Sequence, residues 1–181
     1  MYAQCEDDFY RVELNYIEKL GRLAELHGAQ DIYRDLYTRM IIDTAEAKKD
    51  YAKGPKLLKE LLRAFADGIN YYLYTHPTVK PALLHRFEPW FPLLWTDGSI
   101  GAINTADVDV TDLKNVYEGK YISKTQTIQE PTGSNGFAIG PAKSLSGHAM
   151  LYINPHVTFY FRPEVHMASK QGLNVYGAVT W

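Results

Sequence analysis

Apolar residues in the first part of the chain recur at three- and four-residue steps, whereas after Gly133 they gather into short blocks divided by turn residues. The first spacing belongs to amphipathic helices and the second to strands. Phe9, Val12, Tyr16, Leu20 and Leu23 form one helical stripe. Asp7 and Asp8 suit its N-terminal cap, and the helix is predicted to run to about His27, with Gly28 as its stop. A second stretch, Ile32 to Ala52, is interrupted near Ile41-Ile42-Asp43-Thr44. Gly54-Pro55 breaks it and opens a third helix, with Pro55 at a first-turn position. Leu58, Leu61, Leu62, Phe65, Ile69, Tyr72 and Leu73 give that helix a wide apolar face, and His76-Pro77 ends it. All three stripes read as core packing.

The middle of the chain is irregular. Pro81, Pro89 and Pro92 punctuate a segment rich in Phe87, Trp90, Phe91 and Trp95. Residues 111–117 suit one short helix. Glu118 to Thr132 is polar and poor in core residues, which predicts a long exposed loop. Beyond it, Phe137-Ala138-Ile139, Ala149 to Ile153, Thr158 to Phe161 and Val175 to Val179 read as short strands. Gly140 to Gly147, Ser144 included, reads as a hairpin connection. Helices first and strands later argue for an α+β fold. The expected division is a helical region over 1–117, an exposed linker over 118–133 and a sheet over 134–181.

Composition narrows the function classes. The chain has 181 residues, 46% of them hydrophobic and 22% charged, which fits one globular domain and excludes disorder and a coiled-coil rod. The net charge of -2 gives no electrostatic footprint for a nucleic-acid partner. No apolar run reaches the ~18 residues that span a bilayer. The acidic, polar N-terminus does not resemble a signal peptide. The single Cys5 leaves no intramolecular disulfide and no thiolate zinc cage. Charge is also unevenly spread: 24 charged residues in 1–76, 12 in 77–133 and only Lys143, Arg162, Glu164 and Lys170 in 134–181. A solvated surface carries more charge than that, so the last segment reads as sheet to be covered on both faces.

Few residues stand out chemically. Glu6, Asp7 and Asp8 at a helix start oppose its dipole before they suggest a metal or an acid–base pair. His27, His76 and His85 lack ligand spacing, and there is no HExxH, P-loop, GxGxxG or GxSxG motif. What remains is Thr132-Gly133-Ser134-Asn135-Gly136, by composition a tight turn. It stands where a charged, irregular region meets a nearly charge-free one. A second polar cluster, Asn154-Pro155-His156, follows the end of an apolar strand.

Gly133-Ser134-Asn135, followed by Gly140, Ser144, Gly147, Leu151 and Asn154-Pro155-His156, resembles the start of the β-chain in the penicillin amidase family. That family comprises penicillin, cephalosporin and acyl-homoserine-lactone acylases, which are N-terminal nucleophile hydrolases. Upstream, Tyr2-Ala3-Gln4-Cys5-Glu6-Asp7-Asp8 resembles the family's Y-A-x-A-x-D-R/D helix start. Ala66-Asp67-Gly68-Ile69-Asn70 resembles its A-x-G-x-N helix, and Phe87-Glu88-Pro89-Trp90 its aromatic-acidic segment. Several weak motifs in the right order carry more weight than any one alone.

The resemblance implies an incomplete αββα fold and autoproteolysis between Gly133 and Ser134. Ser134 then becomes the N-terminal nucleophile, its own α-amino group acting as base. It implies an orienting role for His156, a hold on the new terminus for Asn135, and an acyl-pocket position for Val157. Glu88 matches a calcium-ligating glutamate, so a structural calcium is possible while no cofactor is required. The expected partners are a small acyl amide and the remainder of the β-chain, and the expected location is periplasmic or secreted. Acyl-homoserine lactones, β-lactam side chains and lipopeptides all remain open as substrates. The family's oxyanion-hole donors lie downstream of Trp181, so the chain is expected to be an internal piece with little or no hydrolase activity of its own. The alternatives are a non-catalytic α+β interaction domain, in which the Gly133-Ser134 segment is only a turn, and a degenerate acylase relative.

Overall fold

The computed structural model describes residues 1–94, 110–120, 135–154 and 164–178. The first helix, α1 (Tyr2–Lys19), contains one non-helical residue, Asp8, at φ -160° and ψ 81°. The Asp8 carboxylate accepts the Arg11 backbone N–H at 2.9 Å and the Arg11 guanidinium at 3.1 Å. Asp8 therefore caps the long part of the helix as its sequence position suggests, with a further helical stretch ahead of it.

The helix does not continue to His27. Gly21 takes φ +62°. Its N–H bonds Glu18 O at 2.9 Å, and the Arg22 N–H bonds Ile17 O at 3.0 Å. This is a Schellman ending, seven residues earlier than the stop assigned to Gly28. A short separate helix, α2 (Leu23–His27), follows, and Gly28 ends that one at φ +87°. Its free N-terminal N–H groups are taken by Asp35, whose two carboxylate oxygens accept from Leu23 at 2.7 Å and Ala24 at 2.8 Å.

The second helical stretch divides as its sequence predicts, into α3 (Ile32–Ile41) and α4 (Thr44–Lys53). Ile42 is extended between them, and the Asp43 carboxylate caps α4. Helix α5 (Lys56–Thr75) follows, with Pro55 just ahead of the first turn and His76 at the end. Its predicted apolar face is only partly core. Leu62, Ile69 and Tyr72 are buried, but Leu58 and Leu61 are 39% and 61% exposed. The core lies against α1, where Cys5, Phe9, Val12, Tyr16 and Ile17 meet Ile69 and Tyr72 of α5 and Leu84, Phe87, Phe91 and Leu94 of the following irregular segment. Helix α6 (Val110–Tyr117) packs against α3, with Leu113 buried and the Tyr117 ring centroid 6.3 Å from that of Tyr33.

Strands β1 (Asn135–Ile139) and β2 (Met150–Asn154) form an antiparallel hairpin joined through the expected Gly140–Gly147 connection. Strands β3 (Glu164–Ala168) and β4 (Asn174–Ala178) form a second. Mixed helix and strand, helices first, is the α+β class. Strand β3 has no counterpart in the sequence reading, because Glu164 and His166 break the apolar block that signals the other strands. The expected strand at 158–161 and most of the 118–133 linker lie outside the described residues. No described helix is long and apolar enough to cross a membrane.

Candidate functional site

Three of the segments that carry the family resemblance meet around α1. The start of α1 approaches α5 at Gly68, where a Cβ would lie 3.3 Å from the Tyr2 nitrogen and 3.5 Å from Met1 Cβ. Two residues on, the Asn70 amide makes a reciprocal pair with Phe87. Its Nδ2 donates to Phe87 O at 2.9 Å, and its Oδ1 accepts from the Phe87 N–H at 2.9 Å. Phe87 is fixed between Phe9 and Tyr16, with ring centroids 6.1 and 5.6 Å away. Buried Glu13 secures the segment just before it by accepting the N–H groups of Ala82, Leu83 and Leu84 at 2.9, 2.8 and 2.8 Å. This anchored stretch leads into Glu88 and Trp90.

Glu88 is half-exposed, and its carboxylate accepts from the Arg86 guanidinium at 3.1 Å. A calcium ion takes about six to eight oxygens. Among the described residues no three His, Cys, Asp or Glu side chains stand together as a metal shell. The resemblance places the other ligands beyond Trp181, so Glu88 alone makes no calcium shell among the described residues and no chemistry is derived through the ion.

The remaining segments that carry the resemblance flank one end of the β1–β2 hairpin in sequence. Asn135 stands opposite Asn154, Gly136 opposite Ile153, Phe137 opposite Tyr152, Ala138 opposite Leu151 and Ile139 opposite Met150. Both residues of the Asn135–Asn154 pair are polar, while the rest of the ladder is apolar or glycine. The segments Gly133-Ser134 and Pro155-His156-Val157 therefore adjoin the same end of the hairpin in sequence. Gly133, Ser134, His156 and Val157 themselves lie outside the described residues. Both faces of the hairpin are apolar and open: Phe137 is 58% exposed and Leu151 70%, with Phe137 stacked on Tyr152 at 4.9 Å. Strands β3 and β4 differ, since one of their faces carries a polar row. There Tyr176 Oη donates to Glu164, and His166 Nε2 is 2.7 Å from Asn174 Oδ1. The hydrogen bond to Glu164 raises the Tyr176 phenol.

The sequence reading missed two of the polar groups that hold this frame, Glu13 and Asp35, and named the third, Asn70, only as part of a motif. Glu13 and Asp35 are 1% and 8% exposed. A signal for Glu13 existed: it lies four residues after Phe9 and one after Val12, on the apolar stripe of α1, where a carboxylate needs buried donors. Burial also pushes the Cys5 thiol up to about 12 and raises the Tyr16 phenol. Neither group is poised for chemistry near neutral pH.

The frame defines an α+β protein with a helical block ahead of antiparallel hairpins, carrying acylase-like motifs in both parts. The chain belongs to the penicillin amidase family, whose model matches residues 1–181 throughout. It is 28% identical over 94 residues to penicillin acylase 2 proenzyme of Pseudomonas sp. (strain SE83). That alignment covers 50% of this chain and 12% of the relative's length. No solved structure matches the chain.

Proposed function

We propose that residues 1–181 belong to an amide-hydrolysing acylase that matures by cutting the Gly133–Ser134 bond and uses Ser134 as its N-terminal nucleophile. The observation that carries this reading is the family match over the whole chain. The register that sets Asn135 opposite Asn154 supports it, because the two segments named by the motifs then adjoin one end of one hairpin.

In the maturation step the Ser134 hydroxyl attacks the Gly133 carbonyl. The peptide C–N bond breaks, and an ester to Ser134 forms with a free α-amine. Water hydrolyses the ester, leaving a Gly133 carboxylate and the Ser134 hydroxyl. Gly133 has no Cβ to obstruct the attack. The new amine has an ordinary pKa of about 7.7–8.0, so part of it is neutral near pH 7 and takes the hydroxyl proton. Ser134 Oγ then attacks the substrate amide. The amine product leaves with a proton, and water releases the acid from the acyl-enzyme. Asn135 holds the new terminus, His156 orients the nucleophile and Val157 lines an apolar acyl pocket. The relative's name, a penicillin acylase proenzyme, favours this reading over a plain interaction domain. The open apolar faces of β1–β2 make the remainder of a β-chain the fitting partner.

The test is intact-mass analysis and N-terminal sequencing of a longer precursor that includes residues beyond 181. The expected result is two chains, the second starting Ser134-Asn135-Gly136, with Ser134→Ala left as one chain. A wild-type precursor that stays one chain and resists acylation at Ser134 overturns the proposal.

A further inference from the structure

Away from the hairpins, a cleft of about 660 Å³ opens between the C-terminal end of α1, the α3–α4 junction and Trp90. Its volume lies within the roughly 300–1,000 Å³ of small-molecule sites. Leu20, Ile41, Ile42 and the Trp90 ring supply apolar wall, with Met40 at the rim, 64% exposed. Three cationic side chains, Lys19, Arg39 and Lys48, line it against one carboxylate, Asp43. Asp43 Oδ1 is engaged as the α4 cap, accepting from the Ala45 N–H at 2.7 Å and the Glu46 N–H at 3.3 Å. Lys48 Nζ stands 4.8 Å from the centre of the Trp90 ring, which sets its charge beside an apolar plane. Arg39 is held in place by its Nε donating to Gly21 O at 3.0 Å. The cleft thus carries an excess of positive charge over apolar wall in a chain whose net charge is -2.

We propose that this cleft is a binding site for a small organic anion, a carboxylate on a short apolar body. The head lies between Lys48 and Arg39, and the body lies along Trp90 and Ile42. Both features are needed: the cations alone hold an anion weakly against water and salt, and the apolar wall alone gives no orientation. The site is made only of residues from the helical block and is independent of the Ser134 chemistry.

Titration of the 181-residue chain with hexanoate, followed by calorimetry and by the Trp90 indole resonance (assigned with Trp90→Phe), tests it. Hexanoate is expected to bind saturably, while acetate and the neutral hexanamide bind at least tenfold more weakly. Lys48→Glu and Met40→Asp are each expected to weaken hexanoate at least tenfold, and Lys48→Arg to retain it. Lys48 is exposed and Met40 lies at the rim, so both variants keep the core, and an unchanged circular dichroism spectrum verifies this. Absence of saturable hexanoate binding, equal binding of hexanamide, or unchanged affinity in both charge variants overturns the proposal. None of these outcomes depends on whether the Gly133–Ser134 bond is cut.

Discussion

Glu13→Gln is the sharpest test of what holds the helical block together. The Glu13 carboxylate is 1% exposed and accepts three backbone N–H groups from Ala82, Leu83 and Leu84. The substitution keeps the shape and removes the charge. With the remaining oxygen left to Leu83 and Leu84, those two bonds change from charge-assisted to neutral, a loss of about 1 kcal/mol each. The new NH2 group then faces the Ala82 N–H, and a buried unpaired donor costs about 1–3 kcal/mol. The expected loss is about 3–5 kcal/mol, set against the ~5–15 kcal/mol that a domain of ordinary stability possesses. At about 2–4 °C per kcal/mol for a chain of this size, the Tm falls by about 6–20 °C. Thermal and urea unfolding followed by far-UV circular dichroism measure the loss, with Glu6→Gln as an exposed control on the same helix. If Glu13→Gln unfolds within about 2 °C of wild type, the three bonds do not anchor the 82–84 segment and the reasoning fails.

Four further outcomes follow from the same contacts. Gly21→Ala must adopt φ +62° with a Cβ 2.8 Å from Arg39 Cγ and 3.0 Å from Asp35 O. It is expected to lose about 1–3 kcal/mol or more in urea unfolding, and Gly28→Ala less, because its Cβ meets nothing within 4 Å. Asn70→Ala orphans both backbone groups of Phe87 and is expected to cost about 2–4 kcal/mol by the same assay. Cys5 should resist thiol reagents until the chain unfolds. Its folded-state value is raised, so its contribution to stability is complete below the ordinary value of 9.0 and declines as pH rises from there toward about 12, which an alkaline unfolding series checks. Replacing the stacked pair on β1–β2, Phe137→Lys with Tyr152→Glu, should reduce concentration-dependent light scattering of the isolated chain without changing its Tm.

Much of the helical block was legible because its residues obey local rules. Asp8 caps, Gly28 stops, and the α3–α4 break falls at the residues whose apolar period lapses. The error at Gly21 has a physical cause. The stripe Phe9-Val12-Tyr16-Leu20-Leu23 is continuous through the turn, since Leu23 of α2 reaches the same core, so periodicity passes over a backbone reversal that only a positive-φ glycine reveals. Leu58 and Leu61 share the apolar face of α5 without being buried, because amphipathicity says which face is apolar and not what covers it. Strand β3 was hidden because its outward face carries Glu164 and His166. The partners of the polar groups that fix long-range geometry are not legible for a different reason. Glu13 bonds residues 69 to 71 positions away, and Asn70 one 17 positions away, and no local pattern encodes such pairings.

The motifs themselves divide by what they do. Tyr2 at the approach to Gly68, and Asn70 with Phe87, make contacts that assemble helices and an irregular segment, and none of these groups is placed for proton transfer. The segments of Ser134 and His156 adjoin in sequence a hairpin none of whose described residues belongs to the helical core. Under the proposed mechanism, stability and chemistry are thus written in different residues. Substitutions in the first set are expected to lower Tm with no change in the pH dependence of maturation, whereas Ser134→Ala is expected to abolish maturation with Tm unchanged. A variant of Asn70 that stopped cleavage while leaving Tm intact would show that the division is wrong, and that the packing knot reaches the reacting bond.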